Sequence, residues 1–180
     1  LGVPCYELFG GKLRDRLPLY WSHCGTYRMN EFTSKFLGKP VLKSVEDLTG
    51  LGREVKDAGF KALKCNMYRF GANSYVHSPG FANRANVPGA PELNADRSLL
   101  KDLEKQMWAL RQGAGEDVDI LLDMNFNFKT EGYLRVIRAR REFDLFWYEL
   151  EVFNPEALAY IRHQRNETIA SCESLYGPRD

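Results

Sequence analysis

Three acids occupy matching points of three successive segments. Asp123 ends the apolar run Ile120-Leu121-Leu122, Glu149 follows Phe146-Trp147-Tyr148, and Glu173 closes ETIASCE. They lie 26 and 24 residues apart, each close to one strand-plus-helix unit. In a parallel barrel the C-terminal strand ends lie side by side on the face where the active site is built, so the three carboxylates are expected to converge. Converging carboxylates repel one another and lose hydration, and a cation must neutralise them; an all-oxygen set of hard ligands suits Mg²⁺ or Mn²⁺. Taken singly, each acid would read as a solvated residue at a loop mouth or a helix cap.

The elements that would position these acids follow from period and punctuation. LPLYWSHCG, residues 17–25, is expected as a first strand, followed by a helix over 44–58 with Ser44 at its N-cap and Asp47 three residues on. Gly59 closes that helix and FKALKCNMY, 60–68, forms the next strand. Residues 71–94, rich in Gly, Pro and Asn, show neither period; a connection of this length inside a domain is expected to be functional. A helix over 96–113 carries Leu99, Leu100, Leu103, Met107 and Leu110 on one side. Strands over 118–124, 143–151 and 167–173 then alternate with helices over 130–141 and 155–164. Strand alternating with helix implies parallel units with right-handed crossovers, in a barrel or an open doubly wound sheet.

Composition narrows the function classes. The 180 residues are 44% hydrophobic and 27% charged, enough for a sizeable core, and the formal net charge of +1 provides no global field for nucleic acid or an anionic membrane. The basic run 138–142 ends a helix and suits its dipole. No run approaches the roughly 18–20 apolar residues of a membrane span. Cys5, Cys24, Cys65 and Cys172 are widely spaced without a CxxC pair, which points to free thiols and a cytoplasmic setting.

In order and at barrel spacing, GFKALKCN (59–66), LLDMN (121–125), WYELE (147–151) and IASCES (169–174) resemble barrel strands two to five of the enolase superfamily, in its mandelate racemase and acid-sugar dehydratase branch. The resemblance implies a partial (β/α)8 TIM-type barrel over 17–180, with 1–16 the linker from a capping domain, and a natural protein longer at both ends. It implies Asp123, Glu149 and Glu173 as Mg²⁺ ligands, and a reaction that begins with proton abstraction next to a carboxylate through a metal-stabilised enediolate, a chemistry the superfamily performs with a Lys or His base. Lys64 would face the substrate carboxylate. Where a racemase carries a second lysine as base this chain has Asn66, which cannot accept a proton at neutral pH, so the resemblance favours dehydration of a sugar acid to a 2-keto-3-deoxy acid.

Within the chain, Tyr68 is the candidate base, though its free pKa near 10 would need strong tuning and ordinary packing is the alternative. His23, Asn125 and Arg84 are candidate substrate-binding residues. The competing readings are an epimerase or racemase of a 2-hydroxy acid and a catalytically incomplete barrel with two unpaired edges. The expected partner is a small-molecule sugar acid or hydroxy acid, with no nucleic acid and no membrane; a homo-oligomer is expected at full length, and the 180 residues alone are expected to be inactive.

Overall fold

A computed structural model describes residues 2–81 and 90–176. Its elements in chain order are α1 (Cys5–Leu8), α2 (Glu31–Phe36), α3 (Asp47–Asp57), β1 (Ala62–Cys65), β2 (Tyr68–Arg69), β3 (Tyr75–Val76), α4 (Arg97–Ala114), β4 (Asp119–Asp123), α5 (Thr130–Arg140), β5 (Trp147–Glu149), α6 (Pro155–His163) and β6 (Ile169–Ala170). The sheet runs β1-β4-β5-β6, all neighbours parallel, with each successive strand added on the same side. This is the consecutive order of a β/α barrel wall, and it decides the alternative that periodicity left open.

The expected first strand shrinks to one parallel bridge, Trp21 to Leu63, held by Trp21 N–H to Ala62 O at 2.9 Å and Lys64 N–H to Trp21 O at 2.9 Å. His23 (φ 49°) and Gly25 (φ 87°) adopt left-handed backbone immediately afterwards and end the extended run. The strand expected over 60–68 likewise stops at Cys65, and Tyr68–Arg69 pairs antiparallel with Tyr75–Val76. The connecting segment 71–94 therefore contains half of a hairpin that its composition concealed. Left-handed Asp144 (φ 45°) and Cys172 (φ 76°) shorten β5 and β6 in the same way.

Parity along the strands separates two faces. Leu63, Cys65, Ile120, Leu122 and Tyr148 join the apolar core with Leu48, Leu51 and Val55 of α3 and Leu99, Leu103, Met107 and Leu110 of α4. The alternate positions Lys64, Leu121, Asp123, Trp147 and Glu149 share the opposite face, because a parallel register of Lys64 with Leu121 and Asp123 with Glu149 sets side chains in rows. The polar residues thus emerge on the barrel-interior side at the C-terminal strand ends.

Helices α3 and α4 brace this sheet at backbone distance. A Cβ on Gly113 would lie 1.9 Å from Thr49 O, and one on Gly52 would lie 2.6 Å from Leu110 O. Capping follows the side chains: Asp96 accepts from Leu99 N–H at 2.6 Å, and Asn154 accepts from Ala157 N–H at 2.7 Å. The Ser44 N-cap is replaced by the return half of a capping box, Asp47 accepting from the Lys43 and Ser44 amides at 2.7 and 3.0 Å. All four cysteines are free. No helix among the described residues is long and apolar enough to cross a membrane.

Candidate active site

Lys64 is the hub of the polar face. Its Nζ donates to both Glu149 oxygens at 2.8 and 2.9 Å and lies 3.5 Å from Asp123 Oδ2. The three side chains are only 8%, 12% and 4% exposed, so the pairing operates where water screens little. Burial alone would lower the Lys64 pKa, but the hydrogen bonds and charges of Glu149 and Asp123 outweigh it and raise the group above its ordinary value. Asp123 is also held above the usual carboxylate range, first by burial and then by the Glu149 charge. Two acids share one counter-charge.

Asn125 (φ 48°) turns back on this pair, giving its backbone N–H and side-chain Nδ2 to Asp123 Oδ1 at 2.9 and 2.8 Å. Asn66 joins from β1's extension, its Nδ2 donating to Asn125 Oδ1 at 3.1 Å. Lys64, Asn66, Asp123, Asn125 and Glu149, five of the residues singled out by sequence, therefore form one connected cluster.

Three others are not hydrogen-bonded into this cluster, although the Glu173 charge acts on Asp123. Glu173 is exposed; its backbone N–H is held by the buried Glu151 carboxylate at 2.9 Å, and among the described residues no three His, Cys, Asp or Glu side chains are grouped to hold a metal ion. His23 is exposed, with its ring against Tyr27 at 5.4 Å. Tyr68 is fully buried, its hydroxyl donating to Cys24 O, and burial pushes its pKa well above the ordinary value. Arg84 lies outside the described residues.

Sequence reasoning missed the supports. Gln106, fully buried on α4, donates to Asn66 O at 2.7 Å and accepts from Tyr68 N–H at 3.0 Å, taking the place of a neighbouring strand where the chain leaves β1 for β2. A glutamine one residue before Met107 inside an apolar stripe was the available signal. Thr26, whose hydroxyl donates to Asn66 Oδ1 at 2.5 Å, carried none. Glu151 could have been found by alternation, two residues beyond Glu149 in WYELE.

The donor chemistry of buried Asp123 and half-buried Glu149, two carboxylates in register with an excess negative charge, suits a hard divalent cation. Such a cluster can also grip an anionic carboxylate substrate through Lys64. Over 98% of its length the chain is similar, at 44% identity and TM-score 0.85, to the crystal structure of a candidate L-alanine-DL-glutamate epimerase from Burkholderia xenovorans strain LB400 bound to magnesium and fumarate, of which it covers 42%. It is 25% identical over 170 residues to a D-galactonate dehydratase family member of Enterococcus gallinarum, covering 92% of this chain and 36% of that protein. With the D-gluconate dehydratase of Thermoproteus tenax the identity is 27% over 171 residues, covering 94% and 27%. The chain thus spans well under half the length of these relatives. Residues 48–180 match the family described as enolase C-terminal domain-like. Strand order, polar strand ends and family match agree: the chain belongs to the enolase C-terminal domain-like family, in the enolase superfamily.

Proposed function

We propose that the chain supplies the metal-binding half of a Mg²⁺-dependent hydro-lyase that dehydrates a sugar acid to a 2-keto-3-deoxy acid. The observation that carries this reading is the largely buried Lys64–Glu149–Asp123 cluster at adjacent strand ends. Asp123 and Glu149, with Glu173 from the next strand, would hold the metal, which when bound stabilises the negative charge that builds on the substrate carboxylate as its neighbouring carbon loses a proton. Mn²⁺ has compatible chemistry.

The chain's own residues divide the remaining work. The Lys64 ammonium offers a second positive charge to the substrate carboxylate and is preorganised by two carboxylates, so little reorganisation is needed as charge develops. Asn125 fixes Asp123, and we assign it the substrate hydroxyl next to the reacting carbon. Asn66 accepts no proton at neutral pH, and the Tyr68 hydroxyl is committed to Cys24 O, so we place the base outside the described residues. His23 and Arg84 remain proposed contacts for substrate hydroxyls. We place the enzyme in the cytoplasm, in line with its four free thiols.

An epimerase reading is favoured by the 44% identity to the Burkholderia protein. One experiment separates the two. Sugar acids incubated with the protein and Mg²⁺ in D₂O should yield keto acid under the dehydratase reading. Deuterium appearing next to the carboxylate of a hydroxy acid, with inversion and no keto acid, would support the epimerase instead.

A further inference from the structure

We propose that Thr26 is a positioning residue that anchors a relay of side-chain amides ending on one oxygen of Asp123, which leaves the other oxygen to Lys64. The inference rests on the proposed metal site, but its geometry is a property of the metal-free protein. Thr26 Oγ1 lies 2.5 Å from Asn66 Oδ1 and 3.3 Å from the Tyr68 hydroxyl. The Asn66 oxygen is the nearer of the two and can only accept, so the Thr26 proton goes to Asn66, while the Tyr68 proton is given to Cys24 O.

That choice propagates. With its oxygen held by Thr26, the Asn66 amide can present only Nδ2 to Asn125, and it donates to Asn125 Oδ1 at 3.1 Å. Asn125 in turn can present only its own Nδ2 to Asp123 Oδ1, at 2.8 Å, reinforced by its backbone N–H at 2.9 Å. Both donations land on Oδ1, and Oδ2 is left facing Lys64 at 3.5 Å. Each amide has two orientations, and reversing the Asn66 amide would set two acceptor oxygens against each other and force Asn125 to reverse as well. The Asp123 carboxylate can only accept, so the relay runs in one sense, from Thr26 through Asn66 and Asn125 to Oδ1, and the Thr26 proton is the donation that holds its far end in place.

Gln106 anchors the relay from the core side. Its donation to Asn66 O at 2.7 Å and acceptance from Tyr68 N–H at 3.0 Å fix the backbone that carries the Asn66 amide. Asn66 is 3% exposed and Asp123 3% exposed, so water competes little for these bonds.

The test compares Thr26→Val, which keeps the shape and removes the proton, with Thr26→Ser, which restores it. In the metal-free protein, ¹⁵N-resolved spectra should show the Asn125 side-chain amide resonances displaced in Thr26→Val and restored in Thr26→Ser, although Asn125 does not touch Thr26. Calorimetric titration with Mg²⁺ should show affinity weakened in Thr26→Val, by less than the about 10–100-fold that follows loss of a ligand's direct partner, and parent-like in Thr26→Ser. In the unmodified protein, the amide protons of Asn66 and Asn125 that face the relay should exchange slowly with solvent. Unmoved Asn125 resonances in a folded Thr26→Val, or fast exchange of both amides in the parent, would overturn the relay. If the parent binds no Mg²⁺, the proposed metal site falls, while the spectra of the metal-free protein still decide the relay.

Discussion

Replacing Lys64 with methionine removes the only cation hydrogen-bonded to Glu149 among the described residues while keeping most of the side-chain volume. At 2.8 Å and an effective dielectric near 20, the gross attraction is about 6 kcal/mol, with about 5 kcal/mol more from Asp123 at 3.5 Å. Desolvation of the ammonium and carboxylates offsets much of this, and breaking such a buried pair from one side costs about 3–5 kcal/mol. For a domain of this size that lowers the melting temperature by about 6–20 °C at pH 7. The deficit should depend on pH in a definite direction. Asp123 has a folded pKa raised by burial and by the Glu149 charge, so its contribution is most favourable below the ordinary carboxylate value and is lost as pH rises through the folded value. Without Lys64 the uncompensated Glu149 charge raises Asp123 further, and protonation of Asp123 on acidification from pH 7 to about 4 relieves the repulsion. Differential scanning fluorimetry across that range should show the gap between Lys64→Met and parent narrowing. A gap under about 2 °C that does not change with pH would refute the idea that Lys64 is the counter-charge of these acids.

Asp123→Asn keeps an oxygen for both Asn125 donors and removes a buried charge, so the metal-free chain should melt no lower than the parent at pH 7; calorimetry should find Mg²⁺ affinity reduced beyond the about 10–100-fold typical of an outer-shell change. Gly113→Ala drives a methyl to within 1.9 Å of Thr49 O and should cost about 3 kcal/mol or more in chemical denaturation, whereas Gly50→Ala, in the same helix pair with nothing within 4 Å, should gain about 0.5–1 kcal/mol. Burial alone would raise the Glu54 pKa, but hydrogen bonds from Lys39 and Arg28 hold it below the ordinary value, so its stabilisation is present above that value and lost on acidification. Melting curves between about pH 5 and 3 should therefore fall less steeply for Glu54→Gln than for the parent.

The parts of the fold legible in sequence were those where one local signal agreed with packing. Helix α4 was visible because its leucines recur at helical spacing and Asp96 caps it, and β4 because Ile120 to Leu122 is apolar on both faces. The shortened strands were not visible, because left-handed backbone at His23, Asp144 and Cys172 is imposed by surrounding structure on residues that carry no glycine signal. The β2–β3 hairpin was hidden for another reason: two-residue strands leave no period to detect. In the site, Lys64, Asp123 and Glu149 could be read because strand-end position follows from spacing. Thr26 could not, and Gln106 showed only as a polar residue inside an apolar stripe with no hint of its partners, since hydrogen bonds spanning 40 residues depend on tertiary register rather than on neighbours in sequence. Glu173 marks the boundary of that reading: its place in the sequence pattern is regular, yet its side chain stands exposed after left-handed Cys172, with its backbone tied to Glu151.

The most direct test of the account is Mg²⁺ titration by calorimetry of the protein beside Glu149→Gln, which removes one carboxylate charge and keeps its shape. The account predicts saturable binding by the parent, one ion per chain, and its loss in Glu149→Gln with folding retained. A parent that binds no Mg²⁺, or a variant that binds it as tightly, would contradict the claim that the strand-end carboxylates form a metal site.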